Sequence, residues 1–283
     1  GFMQHPVGYE IINGRAQMTD FGALLGNPRS LYLFLHTFFA GLVTAAFFML
    51  GFSIFHLVKN HEVEAFKKSF VLSAIIGLIS AVAVGGAGHA QGVYLREVQP
   101  MAAAASEAHY ETANPADFHL IAGIDQEGRK TTWSVTIPKA LSFLYFFKWE
   151  GEVEGINQVQ AQYEQLYGPG NYIPNIPLAF WTFRVMVGAG LLMVALSLGA
   201  LFIAWKKYPE KWIKRSGWLV WIILLPYGAN TTGWLLTETG RQPWVVHGLM
   251  QTRDAVSPNL PPATVLISLI GFVLIYGVLM VID

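Results

Sequence analysis

The chain has 283 residues, of which 53% are hydrophobic and only 13% charged, with a formal net charge of zero. That balance gives no footing for a nucleic-acid partner, and the absence of cysteine excludes disulfides, thiolate metal sites and cysteine-ligated iron–sulfur clusters. Histidine, methionine and carboxylates remain as candidate ligands.

The opening residues, GFMQHPVGYE, hold neither a start methionine nor the basic n-region of a signal peptide. Five apolar runs follow, Leu31–Val58, Ser69–Ala87, Pro177–Trp205, Gly217–Thr237 and Thr264–Ile282. Each is about the 20 residues needed to cross a bilayer of about 30 Å. The first and third exceed that length, which permits tilt without specifying an angle. Pro226 and the polar Asn230-Thr231-Thr232 interrupt the fourth, as is tolerated where backbone is buried in protein or faces a cavity. The expected fold class is all-α, a polytopic transmembrane helix bundle. It divides into residues 1–87 with the first two spans, a long connection at 88–176, and three further spans at 177–283.

The short lysine-rich connections Lys59–Lys68 and Lys206–Arg215 are expected to face the cytoplasm, which places residues 1–29 and 88–176 outside. Within the outer connection, Met101–Tyr110 has helix-forming composition and TTWSVTI is strand-like. The turn-prone YGPGN closes it before the third span. Connections longer than about 15 residues are usually functional or disordered. The aromatics Trp133, Phe143, Tyr145, Phe146, Phe147 and Trp149 argue for order here.

Seven of the eight histidines lie in loops or near helix ends and read as polar surface or interface residues. His36 differs, because it sits inside the apolar run YLFLHTFFAGLV without a charged neighbour. It is either hydrogen-bonded to a neighbouring helix or an iron ligand, since neutral imidazole suits iron. A haem with two protein ligands needs a second donor at matching depth. His36 lies about seven residues, or roughly 10 Å, from the outer end of its span, and Met186 lies a similar distance into the third. Taken alone, Met186 reads as core packing. Arg184, two residues earlier, is an interface arginine or a partner for an acidic group.

At the end of the fourth span, GWLLTETGRQPW holds Glu238 and Arg241. Ionisable groups cost roughly 2.5–3.5 kcal/mol each at a membrane helix centre, so they usually have a partner or a task. The pair either caps the helix beside an aromatic anchor or serves a reaction.

Several motifs together, in order along nearly the whole chain, resemble subunit I of the cytochrome bd-type quinol oxidases, the larger haem-bearing subunit of that family. They are LFLHTFFAG around His36, QPMAAAASEA around Glu107, FRVMV around Met186, and GRQPW preceded by Trp234 and Glu238. The resemblance implies that His36 and Met186 are axial ligands of a low-spin haem b, with Arg184 beside a propionate. It implies that Glu238 sits at a high-spin haem b and haem d, and that Trp234 and Arg241 belong to that site. It makes residues 88–176 a short version of the extracytoplasmic quinol-binding loop, with Glu107 as the quinol-site glutamate. The family's quinol-site lysine falls at Ala102, so that half of the pair is missing. Family subunits begin with further membrane helices carrying another haem-ligating histidine, and GFMQHPVGYE matches the end of the last of these. The chain therefore reads as a fragment or as one piece of a split protein.

The implied function is oxidation of membrane quinol at the outer face and reduction of oxygen to water in a respiratory chain. Implied partners are oxidase subunit II, a small single-helix subunit, quinol, oxygen and the lipid bilayer of a bacterial or archaeal cytoplasmic membrane. Two other classes remain open on the residues. A haem-b membrane anchor that relays electrons would keep His36 and Met186 but not need Glu238. A transporter lined by Glu238 and Arg241 would hold no haem.

Overall fold

The computed structural model describes residues 1–257 and 259–282; residue 283, where the third expected segment ends, lies outside them. A hairpin of β1 (Tyr9–Ile12) and β2 (Arg15–Met18) and the short helix α1 (Phe21–Leu25) precede α2 (Pro28–Val58). Asn27 caps α2 by accepting the Arg29 backbone N–H at 2.9 Å, and Pro28 occupies the first turn, where a missing N–H costs nothing.

α3 runs Val63–Val98, eleven residues beyond the expected end at Ala87. The expected division at 87/88 therefore falls inside a helix. α3 stops where Gln99 precedes Pro100, because a proline disfavours helical backbone in the residue before it. The same proline opens α4 (Pro100–Glu107), the expected alanine-rich helix, which ends on Ala108 in left-handed conformation. Next come β3 (Phe118–Asp125) and β4 (Lys130–Ile137), paired antiparallel with Ala122 opposite Ser134. The strand-like TTWSVTI is β4. Helices α5 (Ala140–Phe146) and α6 (Ile156–Tyr167) complete the ordered connection.

Asn175 caps α7 (Ile176–Trp205), accepting from the Leu178 N–H at 3.0 Å. After α8 (Glu210–Arg215), the fourth apolar run begins as a 3₁₀ turn, Ser216–Ile223, and becomes α9 (Leu224–Gly240) with Pro226 in its first turn. Two members of the polar triplet inside α9 find partners, one within the helix and one across on α2. Thr232 donates to the Gly228 carbonyl at 2.9 Å, and Asn230 donates to the Thr44 hydroxyl of α2 at 3.1 Å. A small hairpin of β5 (Trp244–Val246) and β6 (Met250–Gln251) leads to α10 (Pro262–Ile282), whose described side chains are all exposed.

α2 packs on α3 and on the 3₁₀ turn and α9, while α7 packs on α3 and α9, giving a four-helix ring with α2 and α7 diagonally opposed. Five helical segments are long and apolar enough to cross a membrane. Lipid offers little hydrophobic drive for one helix to leave it for another, so close approach of small residues has to hold such a ring. Phe47, fully buried, fits against Gly77, where a methyl group would lie 3.2 Å from the Phe47 ring and 3.1 Å from the Ser197 hydroxyl. Gly51 lets the 3₁₀ turn cross α2, since a methyl group there would come within 2.5 Å of Ile223. A second core, with Met101, Ala105, Ile156, Phe180 and Trp244, ties the outer connection onto the bundle.

Candidate functional site

α4 is one of the few elements whose side chains from Met101 to Glu107 are all buried, and it touches α3, α6, α7 and α9. Helical spacing splits it into two working faces. Pro100, Ala103, Ala104 and Glu107, at i, i+3, i+4 and i+7, line a cleft of about 510 Å³. Ala102 turns the other way, toward Gly240 and Arg241 at the end of α9.

On the cleft face, the Glu107 carboxylate accepts from Arg184 Nη2 at 2.6 Å. Glu107 is 5% exposed. Arg184 also donates from Nη1 to the Ser106 carbonyl at 2.7 Å and from Nε to the His119 carbonyl at 3.0 Å. Its guanidinium lies 4.2 Å from the centre of the Phe180 ring and 4.7 Å from that of Phe118. Burial pushes the Glu107 carboxyl above its ordinary value of 4.5, and the attraction of Arg184, with a lesser one from His119, recovers only part of that rise. The reason is that Arg184 spreads its charge over two backbone carbonyls and several rings as well as one carboxylate. The pair joins α4 to α7 two residues before Met186.

His36 and Met186 each occupy a slot left by a glycine. A methyl group on Gly88 of α3 would lie 3.0 Å from His36 Cε1, and one on Gly233 of α9 would lie 2.8 Å from Met186 Sδ. His36 Nδ1 is buried without a hydrogen-bond partner. The structure thus places the two expected ligands on diagonal helices of the ring, each leaning on a glycine of an adjacent helix. Among the described residues no three His, Asp or Glu side chains converge as ligands for a metal ion. An imidazole and a thioether on separate helices instead match the axial donor set of a haem iron, and the orphaned ring nitrogen and glycine slots fit that group.

Glu238 and Arg241 pair with each other, Nη2 to Oε2 at 2.5 Å and Nε to Oε2 at 3.1 Å. Trp234, one turn earlier on α9, is 61% exposed. Trp244 of the same motif is buried and stacks on Tyr172 at 5.6 Å between ring centres. Burial, with His5 next in weight, pushes the neighbouring His247 down to about 4.

Two residues of the cleft escaped the sequence reading, Arg96 and Tyr145 as functional groups. Arg96 Nε is buried without a partner, and its guanidinium stacks 4.4 Å from the Phe146 ring centre. Among the described residues its ion pair is with Glu97 at 3.3 Å. Arg96 lies past the expected end of the second span, so only the continuation of α3 to Val98 brings it to the cleft. It is the cation on the cleft wall, whereas Ala102 points elsewhere.

Known proteins share the sequence and fold of this chain. The family model for cytochrome bd terminal oxidase subunit I matches residues 1–283. The chain is 46% identical over 281 residues to cytochrome bd ubiquinol oxidase subunit 1 of Bacillus subtilis, covering 98% of this chain and 60% of that protein. It is 27% identical to cytochrome bd-II ubiquinol oxidase subunit 1 of Escherichia coli, covering 91% of this chain and 62% of that one. The solved bd oxidase from Geobacillus thermodenitrificans superposes with a TM-score of 0.83 at 28% identity, over 99% of this chain and 62% of its counterpart. The chain therefore spans about 60% of the length of the curated relatives it matches.

The raised Glu107 carboxyl makes stability pH-dependent with a definite sign. Its contribution is fully present below about 4.5 and is lost as pH rises through the higher folded value. Relative to Glu107→Gln, the native protein should lose about 1.4 kcal/mol for each unit by which the fold raises the group. Thermal unfolding of both proteins from pH 4 to 9 checks this. A native protein that gains on the Gln variant as pH rises would show that Arg184 outweighs burial.

Proposed function

This chain belongs to the cytochrome bd terminal oxidase subunit I family, and from that membership we propose that it is the haem-bearing part of a terminal oxidase that oxidises a membrane quinol and reduces oxygen to water. The observation that carries the quinol half is the cleft, where a buried carboxylate, Glu107, lies with a cation that has an unpartnered donor, Arg96. A quinol losing two electrons must lose two protons. In this reading Glu107 accepts one phenolic proton, and Arg184 holds the carboxylate in place. A carboxyl raised toward the working pH is a better general base than an ordinary one, because it binds the proton more firmly. Arg96 donates a hydrogen bond to the other ring oxygen, standing where Ala102 supplies no charge.

His36 and Met186 hold the low-spin haem b; Glu238, with Trp234 and Arg241, serves a high-spin haem b and haem d, part of whose site lies outside this chain. When bound, the haems supply one-electron transfer and oxygen reduction. The residues' own contribution is to fix ligation, to compensate charge and to keep water from the iron. The side chain of Glu238 is 39% exposed in its pair with Arg241.

In this reading the chain sits as a multi-pass protein in a bacterial cytoplasmic membrane, with the lysine-rich connections inside and 99–175 outside. Oxidase subunit II, a small single-helix subunit and lipid cover the apolar surfaces, α10 above all, since it buries nothing on this chain.

Three measurements on the complete complex test these assignments. Glu107→Gln should slow quinol oxidation about a hundredfold, the lower end for a general base, with haem spectra intact. Arg96→Gln should raise KM for quinol about tenfold, the worth of one hydrogen bond to a charged group. Unchanged steady-state kinetics in both would move the quinol site elsewhere.

Met186→Leu keeps volume and apolarity, so a methionine that only packs should cost below about 1.5 kcal/mol and leave optical spectra unchanged. A ligand methionine should give a haem with altered spin state and lowered potential instead. A native low-spin spectrum in this variant would end the assignment.

These 283 residues hold no cysteine, so Glu127→Cys and Lys211→Cys are each compared with the unsubstituted protein as the labelling background. A membrane-impermeant maleimide added to intact spheroplasts should label the first and spare the second. Equal labelling would sink the proposed sidedness.

A further inference from the structure

Arg29 stands in the first turn of α2 and is 2% exposed. Its Nε donates to Gln4 Oε1 at 2.7 Å, but Nη1 is buried with no partner at all. A charge to which it is coupled is another cation, the Gly1 ammonium, and the groups beside it bond to one another. Gln99 donates to the Gln4 carbonyl at 2.8 Å, Asn27 to the His5 carbonyl at 2.8 Å, and Tyr94 shares a hydrogen bond with His5 Nδ1 at 2.7 Å. Among the described residues, the ion pairs lie elsewhere and none includes Arg29. A buried cation without a counter-charge is costly, and the positive end of the helix dipole raises the cost at this position. Such a group calls for an anion.

Its place on the helix narrows the choice. His36 is seven residues further along α2, two turns on nearly the same face, a rise of about 10.5 Å. His36 also has an orphaned ring nitrogen. Arg184, the other arginine near an expected ligand, spends Nε, Nη1 and Nη2 on His119, Ser106 and Glu107. Arg29 has the unspent donors.

We propose that Arg29 binds the carboxylate of a propionate on the haem carried by His36, as its counter-charge and positioning residue. The inference rests on the reading that His36 ligates a haem. A guanidinium at the propionate favours the reduced iron, because oxidation adds a positive charge that the cation repels. Without it, the bare propionate favours the oxidised iron, or takes up a proton when the iron is reduced.

The test is an optical redox titration of the low-spin haem in the intact complex, from pH 6 to 9, for the native protein, Arg29→Gln and Arg29→Lys. Redox-difference infrared spectra of the carboxylate bands accompany it. In Arg29→Gln the reduction equilibrium should fall about tenfold, which for one electron is about 59 mV. Its potential should also depend more steeply on pH than the native one, and the carboxylate bands should shift. Arg29→Lys should keep most of the potential while still shifting the bands, since a point charge replaces a planar fork. That variant decides the matter if Arg29→Gln fails to assemble. Native potential, pH slope and carboxylate bands in a variant that retains its haem would overturn the proposal. If stability or subunit assembly alone then suffered, the anion would be an acidic side chain of another subunit or a lipid phosphate. His36→Ala with its low-spin haem intact would instead remove the ligation reading beneath the proposal, a failure distinguishable from that of Arg29.

Discussion

The ion pair between Glu107 and Arg184 fixes how the outer part of this molecule sits on its membrane part. Both side chains are buried, and breaking such a pair by removing one partner typically costs about 3–5 kcal/mol, because a charge is stranded. The arginine also closes onto the carbonyls of Ser106 and His119, so one side chain of α7 pins the end of α4 and the start of β3. With α4 held at Glu107, its opposite face is held too, with Ala102 against Gly240. The cleft carboxylate and the turn after α9 are therefore set relative to each other by one eight-residue helix.

The membrane part depends on a different constraint. Its four-helix ring has few large polar contacts, and close approach is secured by Gly51, Gly77 and the serines between them, including Ser53 bonded to Ser69 at 2.9 Å. Small residues do double service here. Gly88 and Gly233 make room for His36 and Met186 against neighbouring helices, so the space for an imidazole and a thioether is built from what the neighbour lacks. The connection between α3 and α7, by contrast, uses ordinary hydrophobic burial, with Tyr163, Tyr172 and Trp244 packed together.

Charge is distributed with the same economy. Arg184 and Arg241 each have a carboxylate three ångströms away or less, whereas Arg96 and Arg29 keep buried nitrogens without partners. Arg184 and Arg241 hold structure, while the unpartnered nitrogens of Arg96 and Arg29 are the donors proposed above to meet a quinol oxygen and a propionate.

The five apolar helices, the alanine-rich α4, the strand β4 and the ordered connection were all legible in the sequence, because span length, helix propensity and alternation are local properties. His36 and Glu238 were legible as candidates for a related reason, since ionisable or ligating groups in apolar runs stand out, whereas Glu107 and Met186 were singled out only by the motifs around them that resemble the family. The end of α3 was not, because Val84–Val98 loses its apolar character while the helix is stopped only by Pro100. Arg96 was lost with it. Nor could the sequence say that Arg184 would be taken by Glu107, 77 residues away, or that Ala102 and Glu107 would face opposite directions. Partnership between distant groups is decided by which helices meet and at what rotation. Only the folded bundle supplies that rotation, and with it the difference between a satisfied charge and one left waiting.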